Sequence, residues 1–199
     1  MYITIRGIFM KHKIIVIALS IITVISYVAR VVYININSFA PEVTAYSLGN
    51  EVPIENDFFD SSSEKMNGYS VIVLDTEMVS IDKFQSEYSD FKNELHAENI
   101  YLVKVLFKNI DNALGENAGI NIGQYMIQNG SYINFVDRET YELINGFDTL
   151  AFCLRTNSEK EFILPFDINS QYIDAETLRS GNTTLIVSLY PHKKIIKLN

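Results

Sequence analysis

The sequence predicts a mainly β domain, a sandwich or barrel of about eight short strands with one or two short helices, behind a single N-terminal apolar helix. Three observations carry this. Residues 14 to 29 hold no charged side chain. From residue 69 onward, period-two runs of aliphatic and aromatic residues recur between turn signals. Twelve Tyr and twelve Phe with no Trp favour a β-rich core over a disordered chain.

The apolar segment comes first. Ile14 to Ala29 rises roughly 24 Å as a helix, against a hydrocarbon core about 30 Å thick. Extension through Val31, Val32, Tyr33 and Ile34 completes a span at 14–34, with Arg30 placed to snorkel from the helix end. Lys11 and Lys13 flank its N-terminal side, so residues 1–13 are expected in the cytoplasm. Residues 35–41 form a polar spacer ending at Pro41, and residues 42–199 form an extracytoplasmic domain. The rival is a cleaved signal, with the domain secreted. Cleavage after Ala29 puts Tyr27 at a position that wants a small residue, and Ser38-Phe39-Ala40 is followed by Pro41. A retained single-pass anchor is therefore expected.

The strands follow in order. Glu51-Val52-Pro53-Ile54 reads as an edge strand, where proline is tolerated. Tyr69 to Leu74 is almost continuously apolar, as a central strand is. In the next strand Tyr101, Val103, Val105 and Phe107 face inward, and Leu102, Lys104, Leu106 and Lys108 outward. Alternation from Ile120 to Ile127 predicts another strand, and Asn129-Gly130 a hairpin into Tyr132 to Val136. Leu150, Phe152 and Leu154 form a further inward row, as do Phe162, Leu164 and Phe166. Leu185, Val187 and Leu189 make the last long strand, which Pro191-His192-Lys193 turns into Lys194 to Leu198. Two helices interrupt the series. Ile81, Phe84, Tyr88, Phe91 and Leu95 form one helical stripe after an N-cap at Ser80. Asp137 caps a short helix that Asn145-Gly146 stops.

The runs GNEVPIENDFF, MNGYSVIVLDTEMVSIDKF, YLVKVLFKN, FVDRETYELIN, LPFDIN and LIVSLYPHKKIIKL resemble a family of uncharacterised, membrane-anchored bacterial proteins. That family is known as a domain of unknown function and is grouped with the immunoglobulin-like β-sandwich domains of bacterial surface proteins. The resemblance spans roughly residues 42–199. It implies an immunoglobulin-like antiparallel sandwich outside the membrane, and it brings no catalytic residue with it.

No motif for chemistry stands out. Residues 1–30 carry Arg6, Lys11, Lys13 and Arg30 and no acid, while the remainder holds 12 basic and 24 acidic residues, which argues against nucleic-acid binding. His12, His96 and His192 lie far apart and match no zinc spacing. His12 reads as interfacial, His96 as the cation at the end of the striped helix and His192 as a turn residue. Cys153, the single cysteine, permits no internal disulfide and reads as a small residue packed in the sandwich. Asp111 to Asn117 has the flavour of a calcium loop but not the spacing. No nucleophile elbow, Walker motif or dinucleotide fingerprint occurs. No catalytic, cofactor-binding or metal-binding residue is therefore assigned. The expected function is a non-catalytic binding or assembly module, tethered to the membrane and contacting another envelope protein. Its alternatives are an accessory or immunity-type subunit of a membrane complex and, last, a hydrolase of unfamiliar type. The first reading requires an exposed apolar or aromatic patch on the domain.

Overall fold

The computed structural model describes residues 2–37, 41–94, 96–115 and 119–199. The chain divides into two units, residues 1–40 and 41–199. The first unit is helix α1 (Tyr2–Asn37). Within it Ile15–Ile36 is 22 residues long, unburied, and apolar enough to cross a membrane or to serve as a signal segment. The hydroxyls of Ser20 and Thr23 donate to the carbonyls of Val16 and Leu19, 2.9 and 3.0 Å away, so neither faces outward unsatisfied. The helix runs into the expected spacer as far as Asn37, since no breaker precedes Pro41.

The second unit is mainly β, with eleven strands among the described residues. Four form one antiparallel sheet in the order β2 (Val52–Ile54), β3 (Tyr69–Ser80), β4 (Asn99–Asn109) and β9 (Ser158–Ile168). Five form the second in the order β1 (Val43–Tyr46), β11 (Lys193–Lys197), β10 (Thr184–Ser188), β6 (Met126–Asn129) and β7 (Tyr132–Phe135). A two-stranded ladder joins β5 (Ile120–Asn121) to β8 (Ala151–Phe152). The second sheet is mixed where an antiparallel one was expected: β1 runs parallel to β11, with Val43 opposite Lys193 and Tyr46 opposite Ile196. Almost the whole domain lies between these two strands in sequence, which gives a parallel pair the long connection it needs.

Both sheets feed one core. Tyr101, Val103, Val105 and Phe107 of β4 are buried, and Leu102, Lys104, Leu106 and Lys108 are half-exposed, as the alternation predicted. Phe162, Leu164 and Phe166 of β9 join them, with Ile127, Leu185, Val187 and Ile196 from the five-stranded sheet. Leu189 is only half-buried. The register slips between Ile186 and Ser188, and β10 ends there. The strand expected at Ile120 to Ile127 is broken by a 3₁₀ turn over Ile122–Gln124, where the Asn121 side chain accepts the Gly123 amide at 3.0 Å.

The helices partly follow expectation. In α3 (Arg138–Asn145) the Asp137 carboxylate accepts the Thr140 amide at 2.8 Å, and Gly146 closes the helix in the left-handed region at φ 69°. Helix α2 (Ile81–Glu87) is shorter than its stripe. Ser80 caps it as predicted, but the backbone leaves helical geometry at Tyr88. Tyr88 and Phe91 still reach Phe84, with ring centroids 4.6 and 4.9 Å apart, so the stripe packs as a turn rather than a continuing helix. Its last member, Leu95, lies outside the described residues. Helix α4 (Ala175–Ser180), capped by Asp174, was not foreseen.

Candidate functional site

The residues weighed for chemistry stay apart. The side chain of His12, like Glu116 and Asn117 of the loop with calcium flavour, lies outside the described residues. His96 sits in a loop at φ 51°, not at a helix end, because α2 stops nine residues earlier. Cys153 is exposed, not packed: β8 ends at Phe152, and the row of Leu150, Phe152 and Leu154 turns inward and leaves the thiol outside. A hollow of about 440 Å³ beside it is lined by Glu64, Gln124 and Phe152. Glu64 is committed there to the amides of Phe59, Asp60 and Ser61 at 2.9–3.1 Å, so it is a loop cap rather than a free base. Asn112, in the same loop as Asp111, is an internal pin. Its side-chain amide donates to the carbonyls of Lys65 and Asn67 at 3.0 and 2.7 Å. Among the described residues no three His, Cys, Asp or Glu side chains converge as metal ligands.

One ion cluster escaped sequence reasoning. His192, exposed in its turn, places Nδ1 3.0 Å from Asp57 Oδ1. The other oxygen of Asp57 is 2.7 Å from Lys194 Nζ, and both residues are buried. Their contact is an ion pair whose angle falls outside hydrogen-bond geometry. Lys194 Nζ also donates to the carbonyl of Pro53 and to Glu55 Oε2, each at 2.8 Å. Burial alone would lower the lysine pKa. The close contacts and charges of Asp57 and Glu55 outweigh it and hold the value above the ordinary one. An ammonium so engaged is a cross-link between sheets, not a nucleophile.

A groove of about 660 Å³ lies where the edges of β7 and β9 approach. Tyr132, Ile133, Phe135, Asp137, Asp167 and Tyr172 line it. The hairpin that builds it turns one residue later than Asn129-Gly130. Asn129 pairs with Tyr132, so the two-residue loop is Gly130-Ser131, with Gly130 taking φ 58°. This register turns the backbone groups of Ile133 and Phe135 away from β6. Among the described residues they meet no backbone partner. Their side chains are exposed, 48% and 52%, and Tyr172 is exposed at 76%.

The neighbouring edge of β9 is closed by contrast. Asn145 bonds both the amide and the carbonyl of Ile163, at 2.9 and 2.8 Å. The Asp137 amide takes the carbonyl of Pro165 at 2.9 Å, and Pro165 itself has no N–H to leave open. The Asn134 side chain takes the carbonyl of Asp167 at 2.7 Å. Asp167 is the one charged residue in LPFDIN. Its Oδ1 is buried without a hydrogen-bond partner among the described residues. Burial, and then the charges of Asp137 and Glu139, push its pKa up to about 7. An acid interrupting an apolar strand was the sequence signal for this site. Its consequence needed the pairing of β9 with β4 and the approach of β7.

No curated protein and no solved structure matches the chain. A family model does, over residues 43–194, which covers the β body from β1 into β11. The chain therefore belongs to the DUF5028 family, a domain of unknown function.

Proposed function

We propose that this chain is a non-catalytic docking module, held at a membrane by α1, with its β body outside the cytoplasm and contacting another envelope protein. The open edge of β7 beside exposed Ile133, Phe135 and Tyr172 carries this reading. Apolar side chains left in water on a strand with free hydrogen-bonding groups are a template for a partner, and folded domains ordinarily blunt such edges. The chain closes β9 with the side chains of Asn145 and Asn134 and the backbone amide of Asp137, and leaves β7 open next to it. Lys11 and Lys13 before the apolar span favour an inside N-terminus. The two-sheet body with a common core fits the immunoglobulin-like surface modules that the sequence resembles.

Two measurements test it. Cys153 is exposed, so a membrane-impermeant maleimide on intact cells should label the unmodified chain; labelling only after lysis overturns the outside location. A photo-crosslinking amino acid at Phe135 should give a discrete heavier adduct in cells, and one at exposed Glu159 should not. Absence of adducts from both Phe135 and Tyr172 overturns docking at this edge.

A further inference from the structure

We infer that the groove takes an extended segment of a partner protein, added as a strand to the free edge of β7, with a lysine or arginine of that segment seated against Asp167. The inference rests on the docking reading above and deepens it by naming what docks. Strand addition follows from the edge: the amide and carbonyl groups of Ile133 and Phe135 are spaced as a ladder, and their side chains offer an apolar shelf on one face.

The charge of the occupant follows from the groove. The charges of Asp137 and Glu139 act on Asp167, and among the described residues its buried Oδ1 has no hydrogen-bond partner. Of the nearby cations, Arg138 is engaged by Glu142 at 2.6 Å and by the Asp148 carbonyl at 3.2 Å. Lys92 and Glu94, which line a smaller hollow together with Asp137 and Asp167, offset each other in charge. A cationic side chain would supply the missing donor, and the exposed rings of Phe135 and Tyr172 beside it suit a cation's approach. A second copy of this chain fits worse. Pairing β7 with β7 would bring two such acidic groups together, on bodies that each hold 24 acidic and 12 basic residues.

The same geometry sets the pH response. Asp167 shares these hollows with Asp137 at the cap of α3, Arg138 and Glu139 in its first turn, Lys92 and Glu94 from the segment after α2, and Tyr132 from β7. Tyr132 stays protonated near neutrality, its pKa raised chiefly by burial. A cation binds the ionised form of Asp167, so affinity should rise between pH 6 and pH 8.

The test selects short random peptides, displayed on phage, against the full chain in lipid nanodiscs. Enriched sequences should carry a lysine or arginine within alternating apolar residues. Asp167→Asn, which keeps the shape and removes a buried charge, should weaken their binding about ten-fold, as expected for loss of one charge-assisted contact. N-methylation of alternate peptide amides should abolish binding. Enrichment of acidic or uncharged peptides, no enrichment, or equal binding to the Asp167→Asn chain overturns the inference. Efficient dimer trapping through Ile133→Cys in a Cys153→Ser background would place a second copy on the edge and overturn it too. Cellular adducts at Phe135 with failed peptide selection would leave docking standing and remove only the basic strand.

Discussion

Lys194 Nζ lies 2.7 Å from Asp57 Oδ2, with the lysine side chain 5% exposed and the aspartate 1%. The pair joins β11 of one sheet to the segment following β2 of the other, and the Pro53 carbonyl at 2.8 Å completes the link. Replacing such a pair with apolar residues is often tolerated, but removing one partner strands a buried charge at a cost of about 3–5 kcal/mol.

Lys194→Met should therefore lower the melting temperature of the full chain far more than Glu55→Gln, whose carboxylate is 66% exposed and worth under about 1 kcal/mol. Equal shifts would show that Asp57 finds other compensation. The folded lysine pKa is raised, so this contribution is complete below the ordinary value of 10.5 and is lost as pH climbs through the higher folded value. Alkaline melts should show the loss in the wild type and not in Lys194→Met.

Asp167 has the opposite consequence. Its pKa rises from 3.8 unfolded to about 7 folded, so the native state binds the extra proton. Stability should fall as pH rises from about 4 to 7 and level off beyond, since each tenfold bias of the folded state toward the protonated acid makes ionisation in place costlier by about 1.4 kcal/mol. Asp167→Asn should be more stable than wild type at pH 8, by on the order of 2 kcal/mol, and indistinguishable at pH 4. Denaturant titrations at the two pH values decide this.

Tyr125 is fully buried and its hydroxyl has no hydrogen-bond partner among the described residues. Its ring meets Phe59 and Phe107 edge-on, with centroids 5.2 and 5.4 Å apart. Burial, with the nearby charge of Glu64, holds its pKa well above the ordinary phenol range. Tyr125→Phe keeps the ring contacts and deletes a polar atom desolvated without return, so its midpoint in urea should hold or rise. Tyr125→Leu should cost about 1–3 kcal/mol through lost ring contacts.

Gly68 takes φ 88°, and a Cβ there would run into the Asp111 side chain and come within 2.8 Å of the Asn112 amide. Its own carbonyl accepts the Ile110 amide at 2.8 Å, so the backbone cannot swing away freely. Gly68→Ala should destabilise by more than about 1 kcal/mol. Gly130→Ala, equally left-handed but with open space around it, should cost less. The ratio of the two melting shifts separates collision from backbone strain.

What the sequence determined was local. Side-chain period alone set the inward faces of β4 and β9, because successive residues of a strand must point to opposite sides. Asp137 and Gly146 bounded α3, because the groups at helix ends must be satisfied within a few residues. The charge-free run over residues 14 to 29 predicted the apolar helix for the same reason of reach. Tertiary structure decided whatever depended on which edge meets which. The parallel pairing of β1 with β11, the exposure of Cys153 beyond a two-residue strand, and the meeting of Asp57 with Lys194 all join residues that no period relates. Asp167 shows the division most clearly. Its place in LPFDIN marked an acid inside an apolar strand, yet its raised pKa and its groove exist only because α3 and β7 close around it, and burial and neighbouring charge are properties of that assembly.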